Sequence, residues 1–478
     1  MEQQAKSAIK SMVLKLRHTL EEEIEIQLKR YGFSENRWRD LDELPHIQAD
    51  DQEISRFYRL KNALDQHLRR IDADPKDPSK KQRLEAMDWF VREVAFTHLN
   101  RLVALKVLEV RELIPEIITT REAYGGRSKA HYDYRRGHPQ KADQADHALP
   151  EAICHISRGI ANEFKFLFDV GDPETGQKPP ANSILWPSYP VLKDCLNLIN
   201  GLDASAQNPG ETLWKEDEII GWIYQFYNAE EKEEIRSRGR PQLPAEVAVI
   251  NQFFTPRWII KYLVDNTLGR LWLEMHPDSE RVREKCDYLV TEPSSEEEAP
   301  SDDEDTFHPD PNSPINNPHA EPRREPKLPQ ELRLIDPACG TMHFGHYAFE
   351  VFELIYKEAI AKGWALAPQQ GIPASILENN LYGVDIDLRA VQLAALSLFI
   401  KAKSADPEVD IDHFNLVVAD AVLPSDGARQ EFLAQYADDK VVQGAVRQVL
   451  KEMENVAEVG SLLRVEERLR GILGEAGH

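Results

Sequence analysis

The run from Leu334 to Phe349, LIDPACGTMHFGHYAF, constrains the fold of this chain more than any other segment. An apolar strand that ends in Asp-Pro-Ala-Cys-Gly and leads directly into a helix is how a doubly wound sheet presents backbone N–H groups to a nucleotide-like cofactor. Gly340 has no Cβ and can adopt positive φ, so a ligand can approach the main chain there. The segment predicts a cofactor site at residues 336–340. Taken alone, it is also compatible with an ordinary tight turn.

A second strand end follows within the run NLYGVDIDLRAVQLAALSL, residues 380–398. Its acidic residue Asp385 suits a ribose diol, and taken alone it could equally serve as the N-cap of the next helix. In dinucleotide-binding folds such a carboxylate follows the glycine loop by about 20 residues. Here Asp385 follows Gly340 by about 45 residues, and the G-x-G-x-x-G pattern is absent. Both departures argue against NAD.

A third apolar run, residues 414–419, ends in Asp420. Three successive strands would then each carry a polar group at the carboxyl end. Since parallel strands bring those ends to one edge of a sheet, the three groups are expected to form one site.

Three of these motifs resemble the S-adenosylmethionine (SAM) pocket of N6-adenine DNA methyltransferases, in the circular order that places the cofactor motifs before the catalytic motif. They are NQFFTPRW (251–258), DPACGT (336–341) and YGVDID (382–387). The runs FTHLNRLVALK (96–106), IGWIYQFY (220–227) and DNTLGRLW (265–272) resemble the large methyltransferases of bacterial phage-defence systems, the PglX protein of BREX and its relatives in DISARM, which are similar to type IIG enzymes. The resemblance covers residues from about 90 to about 465.

The resemblance implies SAM as the cofactor and a role for each matching residue. Phe254, Thr255 and Pro256 would close over the methionine end, above the loop Asp336, Pro337, Ala338, Cys339, Gly340 and Thr341. Asp385 would bind the ribose, with Ile386 beside the adenine, and Asp420, followed by Ala421, would accept from the adenine amino group. Met342 stands where a second glycine often occurs, so a bulkier loop is expected.

The residues that hold a target adenine are absent from the sequence. N6-adenine methylation uses an Asn/Asp-Pro-Pro-Tyr/Phe motif around the flipped base. The only Pro-Pro pair is Pro179-Pro180, preceded by Lys178, so no catalytic residue is assigned. The expectation is an N-terminal, SAM-binding portion of an adenine-specific DNA methyltransferase that is inactive alone. A further polypeptide would supply the catalytic motif and target recognition. The alternative is a non-catalytic SAM-sensing or scaffolding subunit of a defence complex.

The net charge of −24 argues against DNA binding, because phosphate contacts dominate affinity for duplex DNA. Nine acidic residues lie between Glu292 and Asp310, however, so part of the charge is local. Residues 121–141 are basic and contain three tyrosines, which makes double-stranded DNA a candidate partner. The nucleic-acid candidates there are Arg127, Lys129, Arg135 and Arg136. A solvated loop is the other interpretation of this segment.

The predicted fold class is α/β, a mainly helical N-terminal domain followed by part of a Rossmann-like SAM-dependent methyltransferase domain. Helical periodicity predicts a helical domain over residues 1–240 and a SAM-closing helical segment over 241–290. Nine prolines and the acidic run predict a disordered insertion over 291–330. The SAM-binding α/β core is predicted over 331–425 and a helical tail over 426–478.

Composition excludes several other classes of site. The four cysteines form no CxxC pair, which indicates neither a disulfide framework nor a zinc site. His343 and His346 beside the loop are interpreted as packing residues, and no metal site is predicted. No apolar run approaches the ~20 residues of a membrane span, and the N-terminus lacks a signal-peptide core, so a cytoplasmic location is predicted.

Overall fold

The computed structural model describes residues 3–71, 73–142, 146–160, 165–172, 175–202, 212–239, 249–250, 255–293 and 309–419, with three residue pairs beyond residue 432. The described helices are α1 Gln3–Arg30, α2 Pro45–Gln48, α3 Asp51–Arg70, α4 Lys80–Val110, α5 Lys129–Gly137, α6 Pro139–Ala142, α7 Leu149–Ile160, α8 Lys165–Phe168, α9 Tyr189–Gly201, α10 Ile219–Tyr227, α11 Ala229–Ser237, α12 Arg257–Val264, α13 Arg270–Met275, α14 Glu280–Lys285, α15 His343–Ala361, α16 Ile372–Ser375 and α17 Leu388–Ala405. The strands are β1 Leu334–Asp336, β2 Leu381–Asp385 and β3 Asn415–Val418. None of these helices is both long and apolar enough to cross a bilayer.

The three strands form a parallel sheet in the order β1-β2-β3. Asp336 is paired with Gly383, and Asp385 with Val418, so the carboxyl ends of the strands lie at one edge. Helices α15 and α17 contact the sheet, whereas Ile335 and Val417 are 63% and 55% exposed. The predicted α/β class is confirmed by this largely helical chain with a parallel sheet, and the Rossmann-like continuation stays a prediction.

Helix α17 is shared between two hydrophobic cores. Leu393 and Phe399 pack with α1, α4, α9 and α10, whereas Ala394 and Leu398 pack with α15 and the sheet. Its sequence is apolar on most sides, as a helix buried between two layers requires. The helical part of the chain therefore lies directly against the helix that follows β2.

The run FTHLNRLVALK lies in α4 and carries a buried polar network. The Arg101 guanidinium is fully buried and donates to Leu167 O at 2.7 Å and to Ser183 Oγ at 2.7 Å. The Glu109 carboxylate accepts from the N–H groups of Ile117 and Ile118 at 2.8 and 2.7 Å. Because buried polar groups are costly when unpaired, these contacts explain polar residues inside an otherwise apolar helix.

One helical run occupies residues 257–275, inside the range 241–290 for which the sequence predicts a helical segment. It comprises α12, a π-helical turn at Asp265–Gly269, and α13. Asp265 is fully buried in that turn and accepts from Tyr347 Oη at 2.8 Å. This contact ties the turn to α15, on which α12 also packs.

Residues 309–330 belong to the segment for which disorder stays a prediction, and they make specific contacts with residues earlier in the chain. Glu292 is the centre of their attachment, since it pairs with Arg270 Nη1 at 2.6 Å and accepts from Ser313 Oγ at 2.6 Å. Arg323 contributes a third contact to Glu292 and donates its N–H to Glu274 O at 2.8 Å. Charge pairing and backbone hydrogen bonds hold this segment, although its composition offers little apolar surface. Residues 294–308 lie outside the described residues.

Candidate cofactor site

The loop after β1 is held by hydrogen bonds within itself and to β2. Asp336 Oδ1 accepts from Ala338 N–H at 3.1 Å, and Cys339 N–H donates to Val384 O at 2.9 Å. Met342 N–H closes the turn by donating to Cys339 O at 2.7 Å. Pro337 and Ala338 are exposed, so the main chain at the start of the loop is accessible.

Gly340 is the residue of this loop at which a ligand could come close to the main chain. Its φ is +52°, which favours glycine, and a Cβ built on it would meet no atom within 4 Å. Open space therefore lies beside Gly340. A ligand can reach the backbone at the position that the sequence predicts.

Asp385 connects the loop to the second strand end. Its Oδ2 accepts from Gly340 N–H at 2.8 Å, and its Oδ1 accepts from Asp387 N–H at 2.9 Å. The half-buried carboxylate retains further lone pairs, because each carboxylate oxygen can accept two hydrogen bonds. It is thus oriented by the protein and still able to accept from ligand hydroxyl groups.

The N-cap of α17 is Asp387 and not Asp385. Asp387 Oδ1 accepts from Arg389 N–H at 2.9 Å, in the geometry typical of an N-cap. This contradicts the alternative that Asp385 serves as the cap. An aspartate two residues after the strand, directly before a helical run, is the sequence signal that identifies the cap.

The site is electrostatically negative. Burial, and then the neighbouring Asp385 carboxylate, raise the pKa of Asp336 above its ordinary value. Burial and the same two carboxylates, Asp385 and Asp336, raise the pKa of the Cys339 thiol to about 12. Such a site attracts cations and hydrogen-bond donors and repels phosphate groups.

Met342 does not make the loop bulkier on its ligand side. It adopts the left-handed conformation with φ 65°, which explains why glycine would suit this position. Its side chain is fully buried in the core formed with α15 and lies against Gly345. The expected bulk is therefore directed into the protein interior.

Ser397 and His346 form hydrogen bonds that support the loop after β1. Ser397 Oγ on α17 donates to Thr341 O at 3.2 Å and contacts His346 Nε2 at 2.9 Å. Burial lowers the pKa of His346 to about 4, so the imidazole is neutral at neutral pH. These contacts agree with a packing and hydrogen-bonding role for His346. Among the described residues no cluster of three or more potential metal ligands occurs.

The other predicted cofactor residues are divided between described and undescribed parts of the chain. Thr255 is half-buried and Pro256 exposed at the start of α12, which packs on α15. Ile386 is 55% exposed beside Asp385. Phe254, Asp420 and Ala421 lie outside the described residues, although Ala419 N–H donates to Asp385 O at 3.0 Å immediately before Asp420.

The four nucleic-acid candidates lie on a different part of the molecule. Helix α5 packs on α6 and α7, whereas helices α15 and α17 pack on the sheet. Lys129 pairs with Asp133 at 2.8 Å, and the Arg136 guanidinium lies 5.8 Å from the Tyr132 ring centre. Arg127 and Arg135 donate to the carbonyl groups of Gly125 and His147, at 3.3 and 3.5 Å. The structure does not bring these residues to the strand ends.

Taken together, the sheet edge defines an α/β protein with a candidate site for a cationic, hydroxyl-bearing cofactor. No protein-family model matches the sequence. The chain is 28% identical over 349 residues to the adenine-specific methyltransferase BrxX of Escherichia coli O9:H4 (strain HS), covering 69% of this chain and 26% of that protein. It is 27% identical over 427 residues to the adenine-specific methyltransferase PglX of Lacticaseibacillus casei (strain Zhang), covering 83% and 32%.

These two homologues confirm the resemblance inferred from the sequence motifs. The chain is homologous to adenine-specific methyltransferases of the BrxX and PglX type. It spans about a third or less of the length of these relatives.

Proposed function

We propose that this chain is the SAM-binding portion of an adenine-specific DNA methyltransferase in a phage-defence system of the BREX, DISARM or restriction-modification-like kind. The observation that carries the proposal is the arrangement around Gly340. Two carboxylates, Asp336 and Asp385, lie at the ends of neighbouring parallel strands, and open space adjoins the glycine between them. This is where open α/β sheets bind their ligands.

The charge of the site supports SAM over a dinucleotide. SAM presents a sulfonium, an ammonium and two ribose hydroxyl groups, all of which two carboxylates can attract or accept from. A pyrophosphate would be repelled by the same pair. When bound, SAM supplies an electrophilic methyl group on its sulfonium. Asp385 would orient the ribose, and Ile386 would lie against the adenine.

The remaining cofactor contacts are proposed from the sequence. Thr255 and Pro256, with Phe254, would cover the methionine end next to residues 336–341. Asp420, with Ala421 beside it, would accept from the adenine amino group, directly after the strand that bonds to Asp385.

The acceptor half of the reaction needs residues that these 478 positions lack. We infer that residues outside these 478 positions supply the Asn/Asp-Pro-Pro-Tyr/Phe motif and target recognition. Within the described part of the chain β1 pairs only with β2, and its Ile335 is 63% exposed. A parallel strand added at that edge would end beside Asp336, close to the proposed SAM. Arg127, Lys129, Arg135 and Arg136 would then contact flanking double-stranded DNA.

Calorimetry with SAM tests the cofactor assignment. Asp385→Ala should weaken SAM binding on the order of 10- to 100-fold, because it removes a charge-assisted acceptor. Asp410→Ala, which removes an exposed carboxylate after α17, is the matched control and should leave affinity unchanged. Equal affinities for the two variants would rule out Asp385 as the ribose ligand.

A methyl-transfer assay tests the enzymatic part. The purified chain should not transfer the labelled methyl group of SAM to adenine in duplex DNA. Adding a polypeptide that carries the catalytic motif should restore transfer, and Asp385→Ala should reduce it when SAM is limiting. Assembly of the two polypeptides without methyl transfer would instead support a scaffolding subunit. Turnover by the chain alone would show that an acceptor site exists within it.

A further inference from the structure

Tyr224 reaches the candidate site from the helical part of the chain. It lies on α10 and is only 6% exposed, and its hydroxyl donates to Asp387 Oδ2 at 2.6 Å. Most of the aromatic run IGWIYQFY, residues 220–227, is buried. The hydroxyl of Tyr224, however, is directed to the turn that carries Asp385.

Asp387 transmits this contact to Asp385. Its N–H donates to Asp385 Oδ1 at 2.9 Å, while its own Oδ1 caps α17 through Arg389 N–H at 2.9 Å. Asp387 is therefore held by the tyrosine on one carboxylate oxygen and by the helix on the other. The contacts with Tyr224 and with the Arg389 N–H restrain Asp387. The Asp387 N–H is one of the two donors that orient Asp385.

We propose that Tyr224 is a positioning residue for the cofactor, acting through Asp387 on the orientation of the Asp385 carboxylate. This inference rests on the proposed function, since it takes Asp385 as the ribose ligand. It also gives the helical part a role in cofactor binding: the packing of α10 on α17 determines whether Asp385 has the orientation that binds.

The chemistry of the contact suits a permanent donor. Burial, and then the Asp387 carboxylate, raise the pKa of Tyr224 well above its ordinary value, so the phenol keeps its proton at neutral pH. The Arg389 side chain lies on the other side of Asp387, 3.6 Å from Oδ1, and its guanidinium also lies 5.2 Å from the Phe96 ring centre. Both α10 and α4 thus hold the start of α17.

Two tyrosine variants separate positioning from mere stability. Tyr224→Phe removes the hydroxyl bonded to Asp387. Tyr227→Phe removes a buried hydroxyl on the same helix, which donates to Arg92 O at 3.2 Å and not to the turn that carries Asp385. We expect Tyr224→Phe to weaken SAM binding by about 3- to 10-fold and Tyr227→Phe to leave it within twofold. Equal SAM affinities for the two variants overturn the proposal.

Hydrogen exchange provides a readout that needs no cofactor. The amides of Gly340 and Asp387 donate to Asp385, so peptides covering residues 336–342 and 383–388 should exchange faster in Tyr224→Phe than in Tyr227→Phe. Equal exchange in the two variants contradicts the positioning role. If wild-type protein fails to bind SAM while exchange still differs, the proposed function fails and the positioning of Asp385 by Tyr224 stands.

Discussion

The side chain of Met342 lies so close over Gly345 that a Cβ on the glycine would come within 2.5 Å of Met342 Cγ. Gly345 is thus a packing requirement of the buried methionine. We expect Gly345→Ala to destabilise the fold by about 1–3 kcal/mol through overpacking, even though alanine favours a helix. Denaturant unfolding measures this. Gly363→Ala is unsuitable as a control because Gly363 has φ +72°, whereas Gly159→Ala meets no atom and should change stability little.

Met342→Gly provides the reciprocal prediction. Glycine would remove the roughly 1–2 kcal/mol cost of the left-handed conformation. It would also leave a cavity in place of a buried side chain, and truncating Met to Ala already costs about 2–5 kcal/mol. The variant should therefore be less stable than the wild type. A higher midpoint of unfolding would show that backbone strain outweighs packing at this position.

The affinity for SAM should fall at low pH through Asp336. Its pKa is raised above the ordinary value, mainly by burial and then by Asp385, so it takes up a proton at a higher pH than a free aspartate. Protonation would remove one of the negative charges that we propose attract the sulfonium. Titration calorimetry from pH 7 to 4.5 should show weakening binding, and Asp336→Asn should flatten this dependence.

A comparison of SAM with S-adenosylhomocysteine in the same experiment tests how much the sulfonium charge contributes to binding. S-adenosylhomocysteine lacks the methyl group and the sulfonium charge of SAM but keeps the ammonium group. The wild type should bind SAM more tightly than S-adenosylhomocysteine, and Asp336→Asn should reduce that preference. An unchanged preference in the variant would show that Asp336 does not act on the sulfonium.

The buried His98 and the half-buried His343 and His346 should make the fold sensitive to acid. Burial lowers the pKa of His98 and His343 to about 3 and that of His346 to about 4. Each is neutral in the folded state, so its contribution is complete above pH ~6.5 and is lost as pH falls toward those values, by up to about 1.4 kcal/mol per pH unit for each. Urea midpoints at pH 7.5 and 5 measure the loss. His346→Gln should reduce it, and exposed His319→Gln should not.

An ion cluster between the helical part and the sheet should contribute at still lower pH. Burial alone would raise the pKa of Asp217, but Lys401 at 2.5 Å and Arg111 lower it to about 2. The pairing stabilises the fold above pH ~4 and is lost as pH falls from 4 toward 2. Lys401→Met leaves Asp217 and Glu350 short of a cation and should destabilise by about 1–3 kcal/mol at pH 7. Lys357→Met, at an exposed helical pair, should cost less than about 1 kcal/mol.

Local patterns in the sequence determined the elements around the candidate site. An apolar run ending in Asp336, a flexible Gly340 and a helical run after it predict strand, loop and helix, because each depends on residues that are close in the chain. The same holds for β2 with α17. The helix after the loop begins at residue 343, because its first turn forms directly at the left-handed Met342.

Only the tertiary structure decided how these elements meet. Gly340 and Asp385 are 45 positions apart and become hydrogen-bonded because β1 and β2 are neighbours in the sheet. The assignment of the N-cap to Asp387 and the contact of Tyr224 with it depend on how α10 packs on α17. Residues 309–330 contact Glu292 and Glu274, which lie earlier in the chain, and composition does not reveal such pairings. Such contacts between distant residues arise from packing, whereas periodicity and turn chemistry report only on neighbours in the chain.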